Sequence, residues 1–368
     1  MNIGVLREIK DRENRVALTP EGAKKLAEAG HKVFFERKCG AGSGIHDHEY
    51  EAAGAQKIST PKEVVKKSDI IVKVKEPIND EPAYFDESKI LFTYLHYASS
   101  RELTEAMLKS GAATIAYETI EGKDGRLPLL VPMSEVSGRM SAYIGAYYLM
   151  KHKGGKGVLM SGVTGVAPAK VVILGGGTAG SNAAMVACGT GADVTIFEIN
   201  PKRIEELKKE LPKAKVVQSS QGAVSEAIKG ADVLIGAVLV PGAKAPKVVS
   251  TEMVHSMQKG SVIVDIAIDQ GGCIATSRPT SHSGPIFEVA GITHYCVTNM
   301  PGAFPRTSTY ALTNVTLPYL MKLADKGLAA LKDDPGLMLG LNTYKGKVTF
   351  KGVAEAFGMQ YTDPKTMV

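Results

Sequence analysis

Residues 171–198 read VVILGGGTAGSNAAMVACGTGADVTIFE, and no other stretch restricts the fold as much. Val171 to Leu174 is a short apolar run rich in β-branched residues, the composition of a strand buried on both faces. It leads into Gly175-x-Gly177-x-x-Gly180 and then a helix of small residues. The first glycine permits a tight turn, the second lets the backbone approach a pyrophosphate, and the third lets helix and strand pack closely. The N–H groups and positive dipole end at that helix start, where Thr178 and Ala179 sit, suit phosphate oxygens. A second apolar run, Val194 to Phe197, ends at Glu198, 18 residues past Gly180, where a carboxylate can accept hydrogen bonds from an adenosine ribose. A lone glycine triplet is a weak signal. Strand, glycines, helix, strand and terminal acid in one unit make a strong one, and it reads as a dinucleotide site. Glu198 repels a 2′-phosphate and favours NAD over NADP, while Lys202 and Arg203 soften that preference.

A chain of 368 residues is long for one compact core, so two domains are expected. Its apolar runs are strand-length or broken by Gly, Pro or Lys, which predicts no transmembrane helix. The start, MNIGVLREIK, reads as a strand and not as a signal segment. The net charge of +6 is spread along the chain, which argues against a nucleic-acid partner. Cys39, Cys188, Cys273 and Cys296 show neither CxxC spacing nor a companion His, so no metal site is expected. Cys188 and Cys296 read as small core residues, and Cys273, after two glycines, as a candidate reactive thiol. A reduced, cytoplasmic protein fits this cysteine usage.

Strands and helices alternate along the chain. Asn2 to Leu6 predicts a first strand, and Thr19-Pro20-Glu21 opens a helix with a cap, a proline and an acid. Further strands are predicted at 32–36, 69–74, 90–94 and 114–117, and, after Glu198, at 215–218, 233–236, 262–265 and 294–298. Met133 to Lys151 and Thr307 to Lys326 read as long helices. The fold class is α/β: two doubly wound, Rossmann-like domains with mostly parallel sheets, joined by long helices with a cleft between them. Residues 1–132 with 307–368 would form a discontinuous substrate domain, and 133–306 the NAD domain.

Open α/β sheets bind ligands beyond the carboxyl ends of their strands. The polar residues just after the apolar runs are Arg15, Lys75 and His96 in the first half, and Asp269 and Asn299 in the second. Each has a plain structural alternative. Arg15 could pair with Glu13 or Glu8. Lys75 could be an exposed cation beside Glu76, like Lys73. His96 could be a core histidine between Tyr94 and Tyr97, and Asp269 could cap a turn. Together they match hydride transfer between NAD and an amino-acid carbon. That chemistry needs a cation for the substrate carboxylate, a near-neutral acid/base for the imine stages, and a carboxylate for the cationic nitrogen.

Seven segments carry a resemblance: RENRVALTP, KVKEP, LFTYLH, PLLVPMSEVSGR, GAVLVPGAKAPK, DIAIDQGG and TSTYALTN, in that order. Over its whole length the chain resembles the bacterial alanine dehydrogenases. The resemblance implies reversible NAD-dependent deamination of L-alanine to pyruvate and ammonium by a homohexamer. It gives Arg15 and Lys75 the substrate carboxylate and carbonyl, His96 the acid/base role, and Asp269 the amine nitrogen. Ser134, Gly175, Gly177, Thr178, Ala179 and Gly180 would contact NAD, with Glu198 on the ribose, where an Asp is more usual. Ser220, Val240, Ile268 and Asn299 are further cofactor neighbours in this reading. The nearest alternative is the nucleotide-binding subunit of proton-translocating transhydrogenase, which resembles these enzymes in both domains. As that family is understood, it lacks the pair kept here at Lys75 and His96. A non-catalytic NAD-binding module would need only the glycine turn and Glu198.

Overall fold

The computed structural model describes residues 1–238 and 245–368, which form two compact units: Met1–Met133 with Phe304–Val368, and Ser134–Ala303. The first unit opens with β1 (Asn2–Val5), β2 (Lys32–Glu36), β3 (Gln56–Ile58), β4 (Ile70–Val72), β5 (Ile90–Thr93) and β6 (Ala113–Ala116). These pair in parallel in the order β6-β5-β4-β1-β2-β3. The chain builds outward from β1 to β3, then returns to lay β4 on the other side of β1. That reversal leaves a crevice at the carboxyl ends of β1 and β4. Alternate strand residues face opposite ways: Ile3, Val5, Ile70 and Val72 pack with Leu26, Tyr50 and Leu320, while Ile71 and Leu91 pack with Val64, Val65 and Met107.

Local chemistry sets the helix limits. Thr19 accepts the N–H of Gly22 to start the helix Pro20–Glu28. Ser100 caps Arg101–Ser110, which stops at Gly111 with φ 74°.

The second unit contains β7 (Lys170–Leu174), β8 (Asp193–Glu198), β9 (Lys215–Gln218), β10 (Val233–Gly236), β11 (Val262–Asp265), β12 (Ile286–Val289) and β13 (Ile292–Tyr295), in the order β12-β13-β11-β10-β7-β8-β9. Only β12 runs antiparallel, hairpinned onto β13. The reversal here falls between β7 and β10, beside the glycine turn. After the helix Pro305–Lys326 the chain returns to the first sheet, where β14 (Leu341–Tyr344) and β15 (Lys347–Val348) extend it antiparallel beyond β6.

Sequence patterning passes over β3, β12, β14 and β15, and it places the last strand of the second set at 294–298 instead of Ile292–Tyr295. The reason is physical. β3 (QKI) is an exposed edge, and β14 (LNTY) is polar in sequence yet buried because its side chains pair with β6. Thr343 shares a 2.8 Å hydroxyl contact with Thr114, and Asn342 donates to Thr119 Oγ1 at 2.8 Å. An apolar count cannot register such pairs.

Candidate active site

In the second unit β7 delivers the chain into Gly175 at φ 92°, where a Cβ would lie 2.8 Å from the Ala237 carbonyl oxygen. At Gly180 a Cβ would lie 1.9 Å from the oxygen of Gly175. Both glycines are therefore required by the protein's own packing. Gly177 is not. Its φ of −66° and ψ of −167° suit any residue, and nothing among the described residues lies within 4 Å of a Cβ built there. It is also the N-cap of the helix Thr178–Gly189 and offers no side-chain cap to the first-turn N–H groups, with Thr178 and Ala179 half-buried beside it. An open approach to uncapped backbone donors fits a dinucleotide diphosphate.

Glu198 ends β8 with its carboxylate bound to that turn. Oε2 accepts the N–H of Gly176 at 2.7 Å, and Oε1 those of Ile199 and Asn200 at 2.8 and 2.9 Å. Arg203 donates through Nε to the Gly176 carbonyl at 2.9 Å and pairs with Glu206 and Glu210, both at 2.9 Å. The cation that sequence set against Glu198 is thus engaged by two acids. Ser134 lies on the helix Val131–Tyr148, one turn before Gly138, where a Cβ would lie 2.1 Å from the Ala179 oxygen. Arg139 donates to Asn182 at 2.8 Å on the same pair of helices. Ser134 therefore shares a face with the residue that abuts the start of the glycine helix. Ser220 is exposed and caps the helix Gln221–Lys229 through the N–H of Ala223 at 3.2 Å. Val240 lies outside the described residues.

Beyond β11 a turn at Ile266–Gln270 carries the buried Ile268 and the exposed Asp269. Asp269 Oδ1 accepts the N–H of Asn299 at 3.3 Å, so these two candidates come together; Asn299 is itself left-handed at φ 64°. Asp265 is fully buried and collects the N–H groups of Ala267, Cys273 and Ile274 at 3.1, 3.3 and 3.2 Å, pinning both limbs of the loop. The reactivity of Cys273, left open by the sequence, is disfavoured by its surroundings. Its thiol is completely buried, and burial together with the Asp265 charge pushes it well above the ordinary range. Cys188, expected in the core, is only half-buried.

In the first unit Arg15, Lys75 and His96 all lie beyond the carboxyl ends of β1, β4 and β5, around the point where strand order reverses. Arg15 is 2% exposed and grips Glu13 along one edge, with Nε 2.7 Å from Oε1 and Nη2 2.5 Å from Oε2. Its Nη1 lies 3.0 Å from Met133 Sδ. Burial works against the charge, but Glu13 outweighs it and holds the guanidinium above its ordinary pKa. The pairing foreseen as an alternative is present, and it takes one edge of a five-donor group.

Lys73 and Lys75 are both buried, which removes the alternative of exposed surface cations. Lys73 reaches Glu81 at 2.8 Å and Glu8 at 3.5 Å. Glu8 also accepts the Val74 N–H at 2.6 Å, and burial pushes its carboxyl up to about 7 against the pull of Lys73. The Lys75 carbonyl accepts the Thr93 hydroxyl at 3.0 Å.

His96 is half-buried, not sealed in the core, and its ring stacks on Tyr94 with centroids 5.9 Å apart. Its backbone is left-handed at φ 48°, ψ 39°, a conformation that costs a non-glycine residue about 1 kcal/mol. Sequence reasoning named Glu8 only as a partner for Arg15 and missed Asp265 and Glu118. Glu8 and Glu118 each reach a backbone N–H on another strand's loop, where no local spacing marks them.

Comparisons with known proteins agree with this geometry. The family models "Alanine dehydrogenase/PNT, N-terminal domain" and "Alanine dehydrogenase/PNT, C-terminal domain" match residues 4–137 and 141–351. An alanine dehydrogenase from Methanococcus maripaludis is 54% identical over 98% of both chains. A solved L-alanine dehydrogenase is 48% identical with a TM-score of 0.94, covering 97% of this chain and 99% of the other. A transhydrogenase structure from Sinorhizobium meliloti is 27% identical at TM-score 0.80, covering 95% of this chain and 99% of that one. Half-identical relatives aligned end to end leave one conclusion: the chain belongs to the alanine dehydrogenase/PNT family.

Proposed function

We propose that the chain catalyses reversible, NAD-dependent oxidative deamination of L-alanine to pyruvate and ammonium, with the unit holding β1–β6 binding substrate and the unit holding β7–β13 binding NAD. The single observation that supports the substrate half is that Arg15, Lys75 and His96 follow β1, β4 and β5, neighbouring strands of one sheet at its reversal point. A transhydrogenase subunit, which hands hydride from one nucleotide to another, has no use for that set.

Bound NAD supplies the hydride acceptor for C2 of alanine, and NADH the donor in the reverse direction. Gly175, Gly177, Thr178, Ala179 and Gly180 would hold its diphosphate and Glu198 its ribose, with Ser134, Arg203, Ser220, Val240, Ile268 and Asn299 as neighbours. The Arg15 guanidinium holds the substrate carboxylate, and Lys75 the carboxylate or the carbonyl oxygen. His96 takes a proton as water adds to the imine carbon and returns it to nitrogen as ammonia leaves. Asp269 stabilises the cationic iminium and orients ammonia or water. Family resemblance supports a homohexamer, and the four unpaired cysteines support a cytoplasmic setting.

The test is spectrophotometric. NADH oxidation should require pyruvate and ammonium together, and L-alanine should reduce NAD. Protein that did neither, yet exchanged hydride between bound nucleotides, would belong with the transhydrogenases. His96→Ala and Asp269→Ala should each lower kcat at least about 100-fold while NADH affinity stays within about threefold. Loss of NADH affinity in either variant would remove that residue from the chemistry.

A further inference from the structure

His96 stands in a backbone conformation that its residue type disfavours, and the surrounding contacts show what maintains it. Two successive backbone N–H groups, those of Leu95 and His96, converge on the Glu118 carboxylate. The His96 N–H meets Oε1 at 2.6 Å, and the Leu95 N–H lies 3.2 and 3.3 Å from the two oxygens. Converging N–H groups of this kind form an anion-binding nest, here filled by the protein's own acid. Glu118 is half-buried in the turn Tyr117–Thr119 that follows β6, the strand next to the β5 that carries His96.

The far side of the turn is held as well. The His96 carbonyl accepts the Ser99 N–H at 2.9 Å and the Ser99 hydroxyl at 2.7 Å, and the buried Tyr97 hydroxyl donates to Thr114 at 3.1 Å. Glu118's own turn is tied to β14 by the Asn342–Thr119 hydrogen bond.

From this arrangement we infer that Glu118 is a positioning residue for His96: its carboxylate fixes the left-handed turn and so aims the imidazole at the reacting atoms. The inference rests on the acid/base role proposed above for His96. Without the carboxylate, two N–H groups lose their acceptor and the backbone relaxes toward the right-handed or extended regions, which swings the side chain away. A misplacement of about 1 Å is enough to cost on the order of 100-fold in rate.

The test uses Glu118→Leu, which removes both acceptors, and Glu118→Gln, which keeps one. Glu118→Leu should lower kcat for pyruvate amination about 100-fold, with the pyruvate KM and the NADH Kd within about threefold of the parent. Glu118→Gln should fall between the two. In both variants the solvent deuterium isotope effect on kcat should rise, because proton transfer by a misaimed imidazole becomes slower. A smaller fraction of folded enzyme would leave that isotope effect unchanged. Parent-like kcat in Glu118→Leu, or a reduced kcat with an unchanged isotope effect, would overturn the assignment. If Glu118→Leu fails to fold, the isotope effect in Glu118→Gln decides alone. His96→Ala measured alongside separates the two levels. An active His96→Ala sinks the acid/base reading itself, and an inactive one beside a fully active Glu118→Leu sinks only the positioning role.

Discussion

Glu198 carries its charge at the end of β8 with three backbone N–H groups already bound to it, from Gly176, Ile199 and Asn200. Those bonds hold the carboxylate where a 2′-phosphate would meet like charge. Glu198→Ser should therefore lower the NADH-over-NADPH ratio of kcat/KM by roughly tenfold or more. An unchanged ratio would place ribose recognition on another residue. Full reversal is not expected, because Arg203 stays engaged by Glu206 and Glu210. Glu198 was legible in the sequence because strand, glycines and acid follow one another in a single unit. Glu118 was not, since 22 positions separate it from His96 and only the pairing of β5 with β6 brings them together.

The strand–turn–helix element at 170–189 holds glycines with opposite reasons for being glycine. A Cβ at Gly180 meets a carbonyl oxygen at 1.9 Å, whereas a Cβ at Gly177 meets nothing within 4 Å among the described residues. Gly180→Ala should destabilise the fold by about 1–3 kcal/mol. Gly177→Ala should leave stability within about 0.5 kcal/mol and weaken NADH binding at least about tenfold. Urea unfolding and NADH fluorescence titration on the two variants check this; matched losses of stability would refute the division. Strands with few apolar residues behave differently. The edge strand β3 and the interior strand β14 draw their stability from neighbouring strands, and for that reason apolar patterning did not find them.

At the scale of the whole molecule, the first unit keeps a buried set of charges, Glu8, Lys73 and Glu81, just past the carboxyl ends of β1 and β4. Glu8, at its centre, has a folded-state value of about 7 against an ordinary 4.5 because burial disfavours its charge. A carboxyl raised in this way binds more protons folded than unfolded, so its contribution is fully present below pH 4.5 and lost as pH rises through about 7. The urea midpoint should carry a decline across that window, and Glu8→Gln, which cannot ionise, should flatten it. A variant with the parent's slope would mean another group titrates there. Alternation of apolar runs, the glycine unit with its acid, and the helix cap at Thr19 were determined by sequence alone, because each is a matter of neighbours along the chain. The antiparallel return of β14, the burial of Cys273, the hold of Glu8 on the Val74 N–H and the hold of Glu118 on His96 were decided only by the tertiary structure. These depend on which strand ends the sheet order sets side by side, and that order comes from packing the whole core, not from any local run of residues.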